Sequence, residues 1–251
     1  MASMFFSRLA HRIEYLNSPL CIGIDPTPDL LSTPYAESAL EFSRNLVDAT
    51  IHAAAAFKVN IAFFEALGPR GWQILFEVVA YIKSKNALVI LDAKRGDIGS
   101  TAQAYARACF DELKVDAVTV NPYMGADTLQ PFLRSSPDIA IFVLCKTSNP
   151  GSADFQTLPL ADGRRVFEAV IDAFKHDLSQ TGFVVGATDD EALQTVRDRC
   201  ADAWILAPGL GFQGGSVLKG DRRILYPVSR GIYEGLKFRE NADKFADLVR
   251  Y

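Results

Sequence analysis

Apolar and polar residues follow two alternating patterns along the chain. Short runs rich in β-branched and other apolar residues are followed by longer segments in which apolar residues recur every three or four positions. Strands that alternate with helices in this way are typical of a parallel sheet in an α/β protein. The short runs predict eight β-strands, at residues 20–25, 55–60, 87–94, 117–122, 139–147, 182–187, 204–208 and 224–229.

The longer segments predict helices between and after these strands. They lie at residues 35–53, 63–84, 100–113, 126–133, 164–178, 189–198, 216–221 and 241–251, and the pattern is weakest at 216–221. Eight strands, each followed by a helix, in about 250 residues predict a single (β/α)8 TIM barrel over residues 1–251. A doubly wound sheet is the alternative. A further amphipathic segment at residues 5–15 predicts an extra N-terminal helix, which we expect to cover the barrel floor.

Composition and charge narrow the functional classes. The chain has 251 residues, of which 49% are hydrophobic and 22% are charged, as in ordinary globular proteins. Its longest segment without Asp, Glu, Lys or Arg, residues 203–218, is too short and too rich in glycine to span a bilayer. The formal net charge of −4 provides no global attraction for nucleic acid. We therefore expect no membrane or nucleic-acid partner, and an anionic substrate must be bound by a local site.

Other sequence features indicate the compartment and exclude some chemistry. Residues 1–8 lack the basic and apolar regions of a secretory signal. The four cysteines, at positions 21, 109, 145 and 200, never approach the C-x-x-C spacing of a zinc site or redox pair. The three histidines lie in predicted helices away from the strand ends. We expect a cytoplasmic protein with no metal site and no histidine-based triad.

The third strand ends in a dense group of charges, Asp-Ala-Lys-Arg-Gly-Asp at residues 92–97. Side chains alternate across a strand, so we expect Asp92 and Lys94 on the same side. Gly96 then permits a sharp turn that carries Asp97 into the following loop, where a barrel has its catalytic residues. The alternatives are a salt-bridge network that closes the barrel mouth, or a role for Asp97 only near a helix start. The spacing alone does not decide between them.

The first and second strands also end in charged residues. Lys58 lies in an apolar run, where a single lysine more often extends its ammonium to solvent. Asp25 precedes a proline and could by itself be a turn residue. Charges at the ends of three successive strands are costly to desolvate unless they pair with each other or with a ligand. Together they favour a catalytic site.

A glycine-rich segment follows the seventh strand, at residues 208–215. Its spacing matches the G-x-G-x-x-G dinucleotide fingerprint, but no complete βαβ unit follows, and a plain glycine turn is a further alternative. Barrels often bind phosphate through the loops after strands seven and eight. Arg230 offers a planar set of donors for phosphate oxygens, and the amide of Gln213 can also donate. We therefore expect a site for a monophosphate ester.

The loop after the fifth strand is rich in hydroxyl and amide groups. It reads Lys-Thr-Ser-Asn-Pro-Gly-Ser at residues 146–152. These groups could hydrogen-bond a polar heterocycle or a sugar, but an ordinary surface loop has the same composition. The loop by itself leaves both interpretations open.

The chain resembles the orotidine 5′-phosphate decarboxylase family, in particular the longer subfamily with the signature D-A-K-R-G-D-I-x-x-T. That signature stands at residues 92–101. The resemblance extends over nearly the whole chain and includes Lys58 and the segments 146–152, 208–215 and 229–232. It implies conversion of orotidine 5′-monophosphate to UMP and CO2, the last step of de novo pyrimidine biosynthesis, without a metal or an organic cofactor.

The resemblance also implies the catalytic roles. Lys94 matches the proton donor to C6 of the pyrimidine, and Asp92 would face the departing carboxylate. Together with Lys58 and Asp97 they form a chain of alternating charges in the family.

The remaining matches concern substrate binding. Asp25 and Lys58 match residues that contact the ribose hydroxyls. Ser148 matches a contact to the pyrimidine. Gln213 and Arg230 match the residues that hold the phosphate.

The resemblance further implies a homodimer. Asp97, Ile98 and Thr101 of this chain match residues that, in the family, extend into the active site of the neighbouring subunit. A complete site would then contain residues of two chains.

Three other functions fit parts of the sequence. A metal-dependent sugar-phosphate decarboxylase of the same barrel superfamily shares the D-x-K-x-x-D element, but it needs a further carboxylate for Mg²⁺ where this chain has Lys58. A noncatalytic nucleotide-binding barrel has little need for a buried charge network. A dinucleotide oxidoreductase has only the glycine spacing in its favour.

Overall fold

Eight parallel strands form a closed barrel in the computed structural model, which describes residues 4–32, 35–133, 138–211 and 214–251. The strands follow one another in chain order, and the eighth pairs with the first to close the barrel. The predicted (β/α)8 fold is therefore confirmed, whereas a single domain over residues 1–251 stays a prediction. The strands are β1 Leu20–Ile24, β2 Ala56–Asn60, β3 Val89–Arg95, β4 Ala117–Val120, β5 Ala140–Lys146, β6 Thr181–Val185, β7 Trp204–Leu206 and β8 Ile224–Val228.

Helices surround the barrel. The α-helices are α1 Phe5–Leu16, α2 Tyr35–Thr50, α3 Ile61–Glu65, α4 Gly68–Ser84, α5 Gly99–Arg107, α6 Val166–Phe174, α7 Asp190–Arg199, α8 Arg230–Tyr233 and α9 Phe238–Val249. Short 3-10 helices occur at Pro28–Leu30, Ala126–Phe132, Pro150–Asp154 and Glu234–Leu236, and a π-helical turn extends α5 over Ala108–Glu112. None of the helices in the described ranges is long and apolar enough to cross a bilayer.

The helix predicted at residues 216–221 is wrong. Between β7 and β8 the described residues contain no helix. Side chains hold this segment instead: the backbone N–H of Leu218 donates to the Tyr226 hydroxyl at 2.9 Å, and the guanidinium of Arg197 binds the carboxylate of Asp221. The segment therefore follows the barrel wall without a helical hydrogen-bond ladder.

Two other predicted helices have a different form. The one predicted at residues 63–84 is interrupted before α4, because Gly68 adopts a left-handed backbone with φ +68°. The one predicted at residues 126–133 is a 3-10 helix that contains Pro131, whose nitrogen carries no proton for a helical hydrogen bond.

The strands divide their apolar side chains between two clusters. An outer cluster lies between the barrel and the helices and includes Phe57 and Leu91. An inner cluster fills the floor of the barrel interior and includes Ala56 and Ile90. Because side chains alternate across a strand, residues two positions beyond the inner cluster also point into the barrel, closer to its mouth.

This alternation makes the upper barrel interior polar. Lys58, Asp92 and Thr119 each come two positions after a residue of the inner cluster. The strand register pairs Lys58 with Ile90 and Asn60 with Asp92, so the two charged side chains lie at neighbouring heights on adjacent strands. The apolar floor therefore supports a layer of charged and hydroxyl groups.

Helix α1 closes the floor, as predicted. Its buried face belongs to the inner cluster and consists of Phe5, Phe6, Leu9 and Ile13. The Phe6 ring stacks on Trp204 with a centroid distance of 5.5 Å and meets Phe142 edge to face at 5.7 Å. The barrel interior is thus sealed from solvent at this end.

We expect Leu9→Ala to destabilise the protein by about 2–5 kcal/mol, because it leaves a cavity between α1 and the barrel floor. Leu9 is fully buried, whereas Tyr15 on the same helix is 87% exposed. Tyr15→Ala is therefore the matched control, with a change below about 0.5 kcal/mol. Urea unfolding gives both values, and equal losses for the two variants would contradict a floor packed by α1.

Candidate active site

A lysine, an aspartate and a second lysine form a continuous row at the barrel mouth. Asp92 accepts hydrogen bonds from Lys58 Nζ at 2.9 Å through Oδ2 and from Lys94 Nζ at 2.5 Å through Oδ1. The side chains of Lys58 and Asp92 are 9% and 12% exposed, whereas that of Lys94 is 50% exposed. The row runs from the barrel interior towards solvent, and Lys94 is the end that a ligand can reach.

The charges of this row support one another. Burial disfavours the carboxylate of Asp92, but the ammonium groups of Lys58 and Lys94 outweigh it and hold the pKa of Asp92 well below its usual range. Burial also disfavours the ammonium of Lys58, but the carboxylates of Asp92 and Asp25 outweigh it and raise the Lys58 pKa. Both side chains are therefore ionised at neutral pH.

Thr119 in β4 fixes the strand that carries the row. Its Oγ1 accepts the backbone N–H groups of Ala93 at 3.0 Å and Lys94 at 2.9 Å, and it donates to Asp92 Oδ1 at 3.0 Å. Lys94 needs this support because its φ of +47° is left-handed, which costs roughly 1–2 kcal/mol for a residue with a Cβ. Asp92 and Lys94 do meet, as predicted, but through an irregular strand rather than through regular alternation.

Asp25 lies beside Lys58, at the end of β1. Its backbone N–H donates to the Tyr233 hydroxyl at 2.9 Å, and that hydroxyl donates to the Gly23 carbonyl at 2.5 Å. Tyr233 thereby joins the end of β1 to α8, the helix that begins with Arg230. Asp25 Oδ1 is buried and finds no hydrogen-bond partner among the residues that the structure describes. Such an oxygen is suited to accept a hydrogen bond from a ligand hydroxyl.

A cavity of about 190 Å³ brings most of the predicted binding residues together. It is lined by Asp25, Lys58, Ser148, Arg230 and the segments 208–210 and 227–231. At its edge β1 and β8 approach closely, since a Cβ on Gly23 would lie 1.9 Å from Ser229 Oγ. Gln213, the other predicted phosphate ligand, lies outside the described residues.

The glycine-rich segment after β7 folds back on itself. The N–H of Gly215 donates to the carbonyl of Gly209 at 3.1 Å. Gly209 and Gly211 have φ values of +111° and +85°, which residues with a Cβ rarely adopt. Because no helix follows in the described residues, the segment does not form the turn of a dinucleotide fingerprint.

Asp97, Ile98 and Thr101 are not brought into the row. Asp97 Oδ1 accepts the backbone N–H of Ile98 at 2.8 Å, and no ion pair joins Asp97 to Lys58 or Lys94 within the described part of the chain. The Ile98 side chain is 62% exposed, and Thr101 in α5 is also exposed. None of these three residues lines the cavity of its own chain.

Neither the cysteines nor a cluster of possible metal ligands forms a second reactive site among the described residues. All four cysteines are buried and free, and burial raises the pKa of Cys21 to about 12. Within the described ranges no group of three or more His, Cys, Asp or Glu side chains could hold a metal ion.

The sequence around the barrel mouth matches a known protein family. A sequence model of the orotidine 5′-phosphate decarboxylase / HUMPS family matches residues 18–233, which contain the whole lysine–aspartate–lysine row and the cavity. The chain belongs to this family. The resemblance noted from the sequence is therefore confirmed, and with it the prediction that the chain is an enzyme of the carboxy-lyase class.

Individual relatives agree with the family over most of the chain. An orotidine 5′-phosphate decarboxylase of Roseiflexus sp. (strain RS-1) is 50% identical over 204 residues, which are 79% of this chain and 74% of that protein. Another, from Roseiflexus castenholzii, is 44% identical over 243 residues, 91% of this chain and 88% of that protein. The solved structure of Leishmania donovani OMP decarboxylase is 42% identical with a TM-score of 0.86, and the match covers 98% of this chain and 97% of that one.

Sequence reasoning missed two side chains in this member of the decarboxylase family. Thr119 stands in the apolar run Ala-Val-Thr-Val, where a lone hydroxyl near a strand end was the available signal. Tyr233 had no such signal, because its contact with Asp25 depends on how the barrel closes between β8 and β1. Both fix backbone next to charged residues of the site.

We expect Thr119→Val to impair both stability and activity of this family member. The change leaves the partly buried N–H groups of Ala93 and Lys94 without their acceptor, which costs about 1–3 kcal/mol, and it removes the contact that fixes the strained Lys94 backbone. Thr50→Val is the matched control, because the buried Thr50 hydroxyl donates to the Leu46 carbonyl of its own helix α2, at 2.7 Å, away from the charged row. Urea unfolding measures the loss of stability of each variant, and turnover assays measure its loss of activity. A Thr119→Val enzyme with unchanged kcat would contradict this role.

Proposed function

We propose that the protein decarboxylates orotidine 5′-monophosphate to UMP and CO2, the last step of de novo pyrimidine biosynthesis, without a cofactor. The observation that carries the proposal is the row of Lys58, Asp92 and Lys94 beside a cavity lined by Arg230. This site has cationic groups both at the row and at Arg230. Such a distribution suits a substrate with a carboxylate at one end and a phosphate at the other.

Lys94 is the proposed proton donor. When the bond between C6 and the carboxylate breaks, CO2 leaves and the electron pair remains on C6. The Lys94 ammonium stabilises this charge and then transfers a proton to C6, and the resulting amine regains a proton from water. A lysine can do both, whereas an arginine would keep its proton.

Asp92 has two roles in this step. Its hydrogen bond holds Lys94 Nζ in one position, so the donor is oriented before substrate binds. In the proposed complex its carboxylate also faces the departing carboxylate. Lys58 keeps Asp92 ionised from the other side, which makes it part of the catalytic group.

The other end of the substrate is bound by separate residues. Arg230, with Gln213, is proposed to hold the phosphate. The unpaired Oδ1 of Asp25, together with Lys58, is suited to the ribose hydroxyls, and Ser148 to the pyrimidine. Because the phosphate does not react, its contacts accelerate catalysis only if their binding energy aligns the reacting end.

The alternative of a metal-dependent sugar-phosphate decarboxylase finds no support at the end of β2. A sugar-phosphate decarboxylase of that kind would bind Mg²⁺ through oxygen ligands. Here Lys58 Nζ lies 2.9 Å from the Asp92 carboxylate, where it would repel a divalent cation. The geometry therefore favours protonation by lysine.

We further propose a homodimer with shared sites. Asp97, Ile98 and Thr101 do not line the cavity of their own chain, and the exposed Ile98 is an apolar side chain that an interface would bury. They would complete the neighbouring subunit's site. No nucleic-acid or membrane partner is proposed, and the cytoplasmic location stays a prediction.

Turnover of orotidine 5′-monophosphate is the direct test of the proposed reaction. EDTA-treated protein should convert it to UMP, with loss of its ultraviolet absorbance. Lys94→Ala should lower kcat by about 10³-fold or more, because it removes both the acid and the charge near C6. Arg230→Ala should mainly lower kcat/KM, since it weakens binding of the phosphate.

The outcome that contradicts the proposal is equally direct. No turnover by the wild-type protein would reject the reaction. Similar, mild losses for Lys94→Ala and Arg230→Ala would reject their different roles. Lys94→Arg keeps the charge without a transferable proton, so it should stay nearly inactive.

Mixed dimers test the shared site. Lys94→Ala and Asp97→Ala homodimers should each be inactive, but a heterodimer would contain one intact site. After subunit exchange at equal concentrations, about a quarter of the wild-type activity should return, because half of the dimers are then mixed. Verified exchange without any recovered activity would contradict the shared site.

A further inference from the structure

Lys146 is a buried charge that the proposed reaction does not use. It is the last residue of β5 and is 7% exposed. Its Nζ donates to Ser152 Oγ at 2.7 Å and lies 3.3 Å from Asp189 Oδ2. Burial of an ammonium is unfavourable unless a carboxylate and hydrogen bonds compensate for the lost water. Both are present, so the position has a built polar environment.

The two partners of Lys146 belong to different loops. Ser152 is buried in the 3-10 helix that follows β5, four residues after Ser148. Asp189 follows β6, and its Oδ1 caps α7 by accepting the N–H of Ala192 at 2.9 Å. Lys146 therefore connects the loop after β5 to the loop after β6 and to the start of a helix.

The loop after β6 lies between the two loops that the proposed function assigns to the substrate. The backbone of Ser148 rests on Gly186, since a Cβ on that glycine would lie 3.0 Å from Ser148 Cα. On the other side, the Ala187 N–H donates to the Pro208 carbonyl at 2.8 Å, and the Ala187 carbonyl accepts the Ser216 N–H at 2.9 Å. A shift of this loop would move both neighbours.

We propose that Lys146 is a positioning residue: its pair with Asp189 holds Ser148 at the cavity and links it to the glycine-rich segment. The inference rests on the proposed function, because it takes Ser148 as a contact to the pyrimidine. Lys146 itself acts at a distance, since the cavity lining contains Ser148 but not Lys146. Its effect on the reaction is therefore carried by the Ser148 loop.

A double-mutant cycle between Lys146 and Ser148 tests this role. Lys146→Met and Ser148→Ala should each lower kcat/KM for orotidine 5′-monophosphate by about 10-fold. The double variant should also lose only about 10-fold, because the Ser148 contact is already misplaced once Lys146 is gone. A loss near 100-fold, the product of two independent effects, would overturn the inference.

Two further variants separate positioning from general stability. Lys175→Met is the matched control, because Lys175 pairs with Asp172 at 2.8 Å on the outer helix α6 side of the barrel; its kcat/KM should stay within about twofold of wild type. Lys146→Arg keeps the charge and should recover most of the activity. If Lys146→Met matches the control, or if Lys146→Arg is as impaired as Lys146→Met, the proposed positioning is wrong.

A variant that unfolds does not end the test. Asp189→Asn removes the charge but keeps a side chain that caps α7, so it should fold and replace Lys146→Met in the same cycle with Ser148→Ala. An inactive wild-type protein would contradict the proposed function. An active wild type whose losses multiply would contradict only the positioning role.

Discussion

The structure of the site depends on one buried carboxylate held between two ammonium groups. Asp92 is 12% exposed and bonds Lys58 on one side and Lys94 on the other. Removing one partner from a buried ion pair typically costs about 3–5 kcal/mol, because the remaining charge is left without compensation. The three side chains therefore constrain one another, and the strands that carry them must keep their register.

The barrel fixes that register, and it also separates the charged row from the apolar floor below. The inner apolar cluster and α1 exclude water from the floor, so the charges above it are desolvated on one side and open on the other. Thr119 then fixes the strained backbone of Lys94, and Tyr233 fixes the end of β1 beside Lys58. The same tyrosine belongs to the helix that starts with Arg230, so one short helix connects the end of β1 to the proposed phosphate ligand.

Periodicity predicted the elements that bury one face against the barrel, including all eight strands and α1. The charged motif at residues 92–97 predicted that Asp92 and Lys94 would meet, because side chains alternate across a strand. Periodicity failed at residues 216–221, where Tyr226 and Arg197 replace a helical ladder with side-chain bonds. It could not reveal Thr119 or Lys146 as positioning groups, since their roles arise from contacts between neighbouring strands and loops. The role of Asp97 in a neighbouring subunit was inferred from the family resemblance alone, and it stays a prediction.

The most direct measurement of the central charge row is a pH titration of the Asp92 carboxyl carbon by ¹³C NMR, with Asp92→Asn to assign the signal. The side chain of an unperturbed aspartate has a pKa of about 3.9. With Lys58 and Lys94 bonded to it, the Asp92 signal should stay that of the carboxylate from pH 7 down to about 3, since the two ammonium groups hold its pKa well below its usual range. A midpoint at pH 4 or above would show that the two ammonium groups do not lower the pKa of Asp92. It would contradict the charged row on which the proposed site depends.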